Sequence, residues 1–152
     1  MTSPSQRLAA LGITLPDVAP PVAAYVPATR VDSQVWTSGQ LPFVDGTLLA
    51  TGKVGAEVSP EEAKAAARIA GLNAIAAAAA AAGGVDQISR VLKAVVFVAS
   101  EPSFTGQPQV ANGASELFQD VFGEVGVHVR SAVGVAALPL DACVEVELTV
   151  AL

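Results

Sequence analysis

At 152 residues the chain is long enough for one domain with one core. Charged residues make up 14% of it against a usual share of roughly 25%, and the net charge is -6, which disfavours a nucleic-acid partner because clustered Lys and Arg would have to hold its phosphates. One cysteine, Cys143, precludes an internal disulfide, and one histidine, His128, leaves no Cys/His metal set.

So little charge, in a chain whose apolar share is swollen by thirty alanines, points to surface hidden in an oligomer. The single cysteine fits a reducing, cytoplasmic setting. The N-terminus lacks the charged start and long apolar run of a secretion signal, and the longest apolar run, Ala74 to Ala82, is too short to cross a bilayer.

In chain order, residues 3–12 are expected to form a short helix with Ser3 as N-cap and Pro4 at its first position. Three prolines between Pro16 and Pro21 predict an extended arm, so residues 1–21 form a helix and a Pro-rich arm within a single domain over 1–152. Strands are expected at 22–30 and 33–41 about an Asp32-Ser33 turn, and a shorter one near 47–50 after Asp45-Gly46. Ser59-Pro60-Glu61-Glu62 predicts a helix with a capping box between Ser59 and Glu62, ending at Gly83-Gly84. Its seven consecutive alanines, Ala76 to Ala82, are either low-complexity sequence or a surface for close packing on a sheet.

Residues 88–99 form the most apolar predicted strand, a central one. A loop follows to Pro108, then a helix over about 109–122 with Val110, Leu117, Phe118 and Val121 inward and Gly123 at its end. The last stretch, Arg130 to Leu152, alternates with period two on both sides of Leu138-Pro139-Leu140-Asp141 and predicts an antiparallel hairpin. Its parity groups Val133, Val135 and Ala137 with Val144, Val146, Leu148 and Val150. The opposite face would then carry Arg130, Ala132 and Gly134 beside Cys143, Glu145 and Glu147.

The resulting order, β-β-β-α-β-α-β-β, is an α+β domain with two helices on one face of the sheet. Arg130 is the only Lys or Arg after Lys93, among seven acids. A guanidinium on an apolar strand needs a carboxylate, either from a structural ion pair or from a ligand. No P-loop, dinucleotide-binding glycine fingerprint, HExxH or GxSxG pattern occurs. Ser38 in Thr37-Ser38-Gly39 reads as a turn or backbone ligand site before it reads as a nucleophile, because the lone histidine is its one conceivable base.

Several of these residues together resemble the RidA (YjgF) family: Ala24-Tyr25, Thr37-Ser38-Gly39-Gln40-Leu41-Pro42, Val96-Phe97-Val98, Val110-Ala111-Asn112, Arg130-Ser131, Leu138-Pro139 and Val144-Glu145-Val146-Glu147. They span residues 20–152 in the family's order. The resemblance implies a chorismate-mutase-like fold, a homotrimer with ligand clefts between subunits, and hydrolysis of reactive enamines and imines to 2-keto acids and ammonia without a metal or organic cofactor. By the same resemblance Arg130 matches the carboxylate-binding arginine and Glu145 the glutamate that manages the hydrolytic water, while Tyr25, Ser38, Gly39 and Asn112 fall on pocket positions. Ala132 stands where many members have cysteine, a divergence that bears on the substrate's side chain.

Two other readings stand beside the deaminase: the ribonuclease or translation-inhibitor activity ascribed to some relatives, and a non-catalytic binder of small carboxylates or chaperone-like protein. His128 and Cys143 carry no assigned role; Cys143 reads as a small packing residue. In the expected hairpin, Arg130 lies opposite Ala151 and Glu145 opposite Ala136, roughly 20 Å apart along the strands. Their joint action on one small substrate therefore requires two chains.

Overall fold

The computed structural model describes residues 2–21 and 23–152. Helix α1 (Pro4–Ala10) starts as expected, with Ser3 accepting from the Gln6 N–H and the Gln6 side chain returning to the Ser3 N–H, a full capping box. The Ser5 N–H and hydroxyl donate to Asp86 at 2.9 and 2.6 Å, which ties this helix to the short turn after the long helix. The arm then runs without regular structure to residue 21.

Strands β1 (Ala28–Val31) and β2 (Gln34–Thr37) pair about Asp32-Ser33, with Asp32 at φ 52. Both are shorter than predicted. Residue 22, the expected start of the first, lies outside the described residues. Residues 23–27 bend, since Pro27 has no N–H to give a ladder, and its carbonyl accepts from Ser38 instead. The second ends at Ser38-Gly39, and the chain rejoins the sheet only at Gln40, which exchanges both backbone bonds with Val146. Asp45-Gly46, at φ 49 and 80, turns a separate two-stranded ribbon of β3 (Phe43–Val44) and β4 (Thr47–Leu48), where one strand was expected.

Helix α2 (Pro60–Ala82) ends at Gly83 with φ 88, a left-handed stop. Ser59 caps the Glu62 N–H at 3.1 Å, but the Glu62 carboxylate takes the Ser59 hydroxyl rather than its N–H, so the predicted box is not reciprocal. By length and composition α2 could span a membrane, yet most of that stretch is buried inside the fold. Most of its alanines, with Ile75, are buried, Ala65 and Ala80 being exposed. They pack on the sheet and also on α3 (Gln107–Phe122), whose Val110, Leu117, Phe118 and Val121 are buried as predicted.

Strand β5 (Arg90–Ala99) is followed by α3, then β6 (Val129–Val135) and β7 (Val144–Ala151). The five-stranded sheet has the order β1-β2-β7-β5-β6. The expected hairpin of the last two strands does not form: β5 lies between them, parallel to β6 and antiparallel to β7. Pairing β6 with β7 would have left the most apolar strand as an open edge, whereas a helical crossover lets β6 return alongside it. The connection through Pro139–Asp141, with Leu140 and Asp141 both at φ 59, instead carries the chain past β5.

The face assignment changes with the pairing. Val144, Val146, Leu148 and Val150 are buried under the helices as predicted. In β6, however, Ala94↔Arg130, Val96↔Ala132 and Val98↔Gly134 put Arg130, Ala132 and Gly134 on that same helix-covered side. Val129 and Val133 join Glu145, Glu147 and Trp36 on the open face, because those partners alternate away from the core. The helix side is covered, the other side is bare.

Where α2 and α3 meet, a Cβ on Gly113 would fall against the Lys64 carbonyl, 3.0 Å from its carbon and 3.2 Å from the Arg68 nitrogen. Backbone cannot yield as a side chain can. Gly113→Ala is therefore expected to destabilise by about 1–3 kcal/mol, as overpacking does, seen as a lowered midpoint in thermal unfolding; an unchanged midpoint would mean the helices sit further apart.

Candidate functional site

The predicted site residues fall into two groups on one chain. In the first, Tyr25, Ser38, Gly39 and Glu145 line a cleft of about 510 Å³ that Ala19, Pro20 and Pro21 of the arm close on one side. Its floor is held from below by α2: the buried Asn73 amide donates to the Leu41 and Phe43 carbonyls at 2.9 and 3.1 Å. The Ser38 hydroxyl donates to the Val26 carbonyl at 2.6 Å and its N–H to that of Pro27, so it pins the Tyr25 segment to the sheet. A hydroxyl used in this way has no base at hand, which favours the turn reading over the nucleophile.

At Gly39 the absence of a side chain makes room for Glu145. A Cβ there would lie 2.6 Å from Cδ and 2.8 Å from Cγ of Glu145, so the carboxylate occupies the space a side chain would take. Glu145 is half-buried, and its pKa is raised, first by burial and then by the like charge of Glu147 on the same face of β7. Such a carboxyl is moved toward the range where it exchanges protons readily.

The second group sits on the edge strand. Arg130 Nη1 donates to Asn112 Oδ1 at 2.8 Å and to Ser115 Oγ at 3.2 Å, two α3 residues one turn apart. Among the described residues the ion pairs are Lys53–Asp141, Lys64–Glu116 and Arg68–Asp120, and none includes Arg130. Its Nε and Nη2 have no hydrogen-bond partner among them either. The expected alternative of a structural ion pair within the chain is thus not what forms. Ala132 follows on the same face, partly buried against the core.

The two groups do not meet within one chain, though not for the reason the hairpin suggested. Arg130 is level with Ala94 and Glu145 with Phe97, two strands apart across β5 and on opposite faces. Three residues along and two strands across amount to roughly 14 Å. The sheet itself stands between them.

Two residues were given no role from sequence. His128 is held on three sides: its Nδ1 bonds the Gly126 carbonyl at 2.6 Å, its Nε2 the Ser115 hydroxyl at 2.9 Å, and its ring meets Phe118 edge-on. The spacing His128-Val129-Arg130 was the available signal, since residues two apart on an extended chain share a face. Ser115, one turn beyond Asn112, was the other. Cys143 is fully buried in the core, not on the pocket face, and burial raises its thiol pKa to about 11.

Residues 5–152 match the family described as "YjgF/chorismate mutase-like, putative endoribonuclease". Protein TCP17 of Trypanosoma cruzi is 49% identical over 147 residues, covering 96% of this chain and 92% of that one. A Shewanella oneidensis crystal structure described in the same endoribonuclease terms has a TM-score of 0.95 at 36% identity, covering 99% and 100% of the two chains. RidA from an Antarctic Psychrobacter has a TM-score of 0.63 at 29% identity, covering 90% and 94%.

Gly39→Ala should leave the fold intact but expel the Glu145 carboxylate from the cleft. Its pKa, followed by carbon NMR of the side-chain carboxyl, is then expected to drop toward the ordinary 4.5 as burial is lost. An unaltered titration would show that Glu145 is not held against residue 39.

Proposed function

The chain belongs to the YjgF/chorismate mutase-like family, which includes RidA, and on that premise we propose that it is a hydrolase of small reactive enamines and imines bearing a carboxylate. The observation that carries this reading is Arg130: a half-buried guanidinium held by neutral Asn112 and Ser115, with no carboxylate among the described residues paired to it. A carboxylate ligand supplies the missing charge and suits the planar fork.

In this reading a second subunit brings its Glu145 cleft to the Arg130 edge. The opposite facing of the two residues within one chain supports that arrangement, as does a bare sheet face where Trp36, Val129 and Val133 are 53%, 66% and 43% exposed. Three such faces closing on one another form a homotrimer, cytosolic in keeping with the unpaired cysteine. Water adds to the imine carbon while Glu145 takes its proton and passes it to the nitrogen; as the C–N bond of the resulting carbinolamine breaks, Glu145 moves the hydroxyl proton to the nitrogen too, leaving a 2-keto acid and ammonia. An enamine first tautomerises to the imine by protonation at carbon. The chemistry assigned to these residues is proton transfer and electrostatic binding.

The family description also raises ribonuclease activity. The charge of -6 weighs against it, as does the pairing of Lys64 and Arg68 with Glu116 and Asp120. RNA binding that weakens steeply with salt, together with no keto-acid release, would favour that reading over ours. A non-catalytic carboxylate binder would instead tolerate Glu145→Gln.

The test is continuous assay of keto-acid release from imines made in situ by an amino-acid oxidase. Arg130→Lys should keep the fold and raise KM about ten- to a hundredfold, since the lost charge-assisted bond is worth about 1.5–3 kcal/mol. Glu145→Gln should abolish turnover. Mixed after dissociation and refolding, inactive Arg130→Ala and Glu145→Gln proteins should regain activity at interfaces pairing two wild-type residues. No recovery would remove the intersubunit site, and a clean monomer of 15.2 kDa in light scattering would remove the trimer.

The pH profile has a definite sign. Glu145 must be ionised to take a proton from water, so the rate is lost as pH falls through its raised pKa, with the acid limb centred above 4.5. Glu147→Gln removes the repelling charge and should move that limb to lower pH. A limb that stays in place would mean another group sets it.

A further inference from the structure

A serine in the middle of a helix has to account for its hydroxyl, and Ser115 of α3 is 7% exposed. Its contacts fix a direction of donation. The Gly126 carbonyl can only accept, so the 2.6 Å contact requires the proton on His128 Nδ1. In the neutral ring Nε2 is then a bare acceptor, and the 2.9 Å contact is the Ser115 hydroxyl donating to it. That leaves a lone pair of Ser115 Oγ for the Arg130 Nη1–H at 3.2 Å. The other Nη1 hydrogen goes to Asn112 at 2.8 Å.

We propose that His128, acting through Ser115, is a positioning residue that fixes the Arg130 guanidinium and so selects which edge of it receives the substrate carboxylate. Both Nη1 hydrogens are committed to α3, which leaves the Nε–Nη2 edge as the side-on fork for a carboxylate. Without the relay, one Nη1 hydrogen is unpaired and the end-on Nη1–Nη2 edge competes. Ser115 is not a nucleophile despite its bond to an imidazole, because its oxygen is buried and already receives the guanidinium hydrogen.

The relay needs a neutral ring, and the surroundings supply that condition. Burial lowers the His128 pKa below the ordinary 6.5, the Gly126 bond partly offsets this, and the Arg130 charge adds to the lowering. Of the other charges on elements around the ring, Glu116 and Asp120 are paired with Lys64 and Arg68, and Lys93 faces the far side of the sheet beside Val129. Glu124 lies in the turn before His128 and Arg7 beside Gly123. At neutral pH the ring carries one proton, on Nδ1.

The inference rests on Arg130 being the carboxylate-binding group, and the experiment separates the two. Pyruvate, a stable 2-keto acid, is titrated calorimetrically at pH 7.5 into the assembled protein and its Arg130→Lys, Ser115→Ala, His128→Phe and His128→Gln variants. Ser115→Ala and His128→Phe should each weaken binding about three- to tenfold. His128→Gln, whose amide oxygen can still accept the serine hydrogen, should stay within about twofold of wild type. Long-range nitrogen NMR of the unmodified protein should show the Nδ1–H tautomer, a readout that needs no variant to fold.

If Arg130→Lys loses pyruvate while Ser115→Ala and His128→Phe bind like wild type, the positioning role is overturned and the carboxylate site stands. The Nε2–H tautomer, or a His128→Gln as weak as His128→Phe, overturns it equally. If Arg130→Lys binds like wild type, it is the carboxylate reading that falls.

Discussion

The placement of β5 between β6 and β7 is the constraint on which the rest depends. β5 is apolar on both faces and would be a hazard at an edge, so it takes a partner on each side: β7 antiparallel and, by way of α3, β6 parallel. That choice makes β6 the edge strand and turns Arg130 under α3. It also leaves β7 central, with Glu145 on the opposite face. A hairpin of β6 and β7 would have put the two side chains on one face of one chain.

The helix layer then decides what Arg130 meets. Gly113 and Ala114 face α2, where Gly71 and the Lys64 backbone allow no larger side chain. Asn112 and Ser115, one turn apart, are left facing β6. Gly71 of α2 and Gly113 of α3 let the two helices approach closely enough to set the depth of α3 over Arg130. Packing between two helices is in this way connected to the geometry of a guanidinium neither of them carries.

Charge is arranged by the same logic. Lys53, Lys64 and Arg68 find acids within the chain, while Arg130 is given only neutral oxygens. On the other face Glu145 and Glu147 share β7 and repel, which with burial keeps Glu145 protonated to higher pH. One half-site has unanswered positive charge, the other a carboxyl tuned toward proton exchange. A small carboxylate with an imine nitrogen suits both halves once they are brought together.

The sequence by itself determined the elements and much of the family. Local signals sufficed for the Ser3 and Ser59 caps, the Asp32-Ser33 and Asp45-Gly46 turns, the glycine stop at Gly83 and the buried stripes of α3 and β7, because caps, turns and periodicity act over a few residues. The motif set from Tyr25 to Glu147 was enough to place the chain beside RidA. The pairing of β5, β6 and β7 was not legible. Period two says that Arg130 and Val133 face opposite ways, but not which way is the core, and that parity came out reversed in β6 because its neighbour is β5, 36 residues earlier in register. The Ser115–His128–Arg130 chain of hydrogen bonds likewise joins a helix, a turn and a strand that only tertiary contact brings together. Pairing partners and faces are decided by which apolar surfaces must be covered, a property of the whole chain and of no single stretch of it.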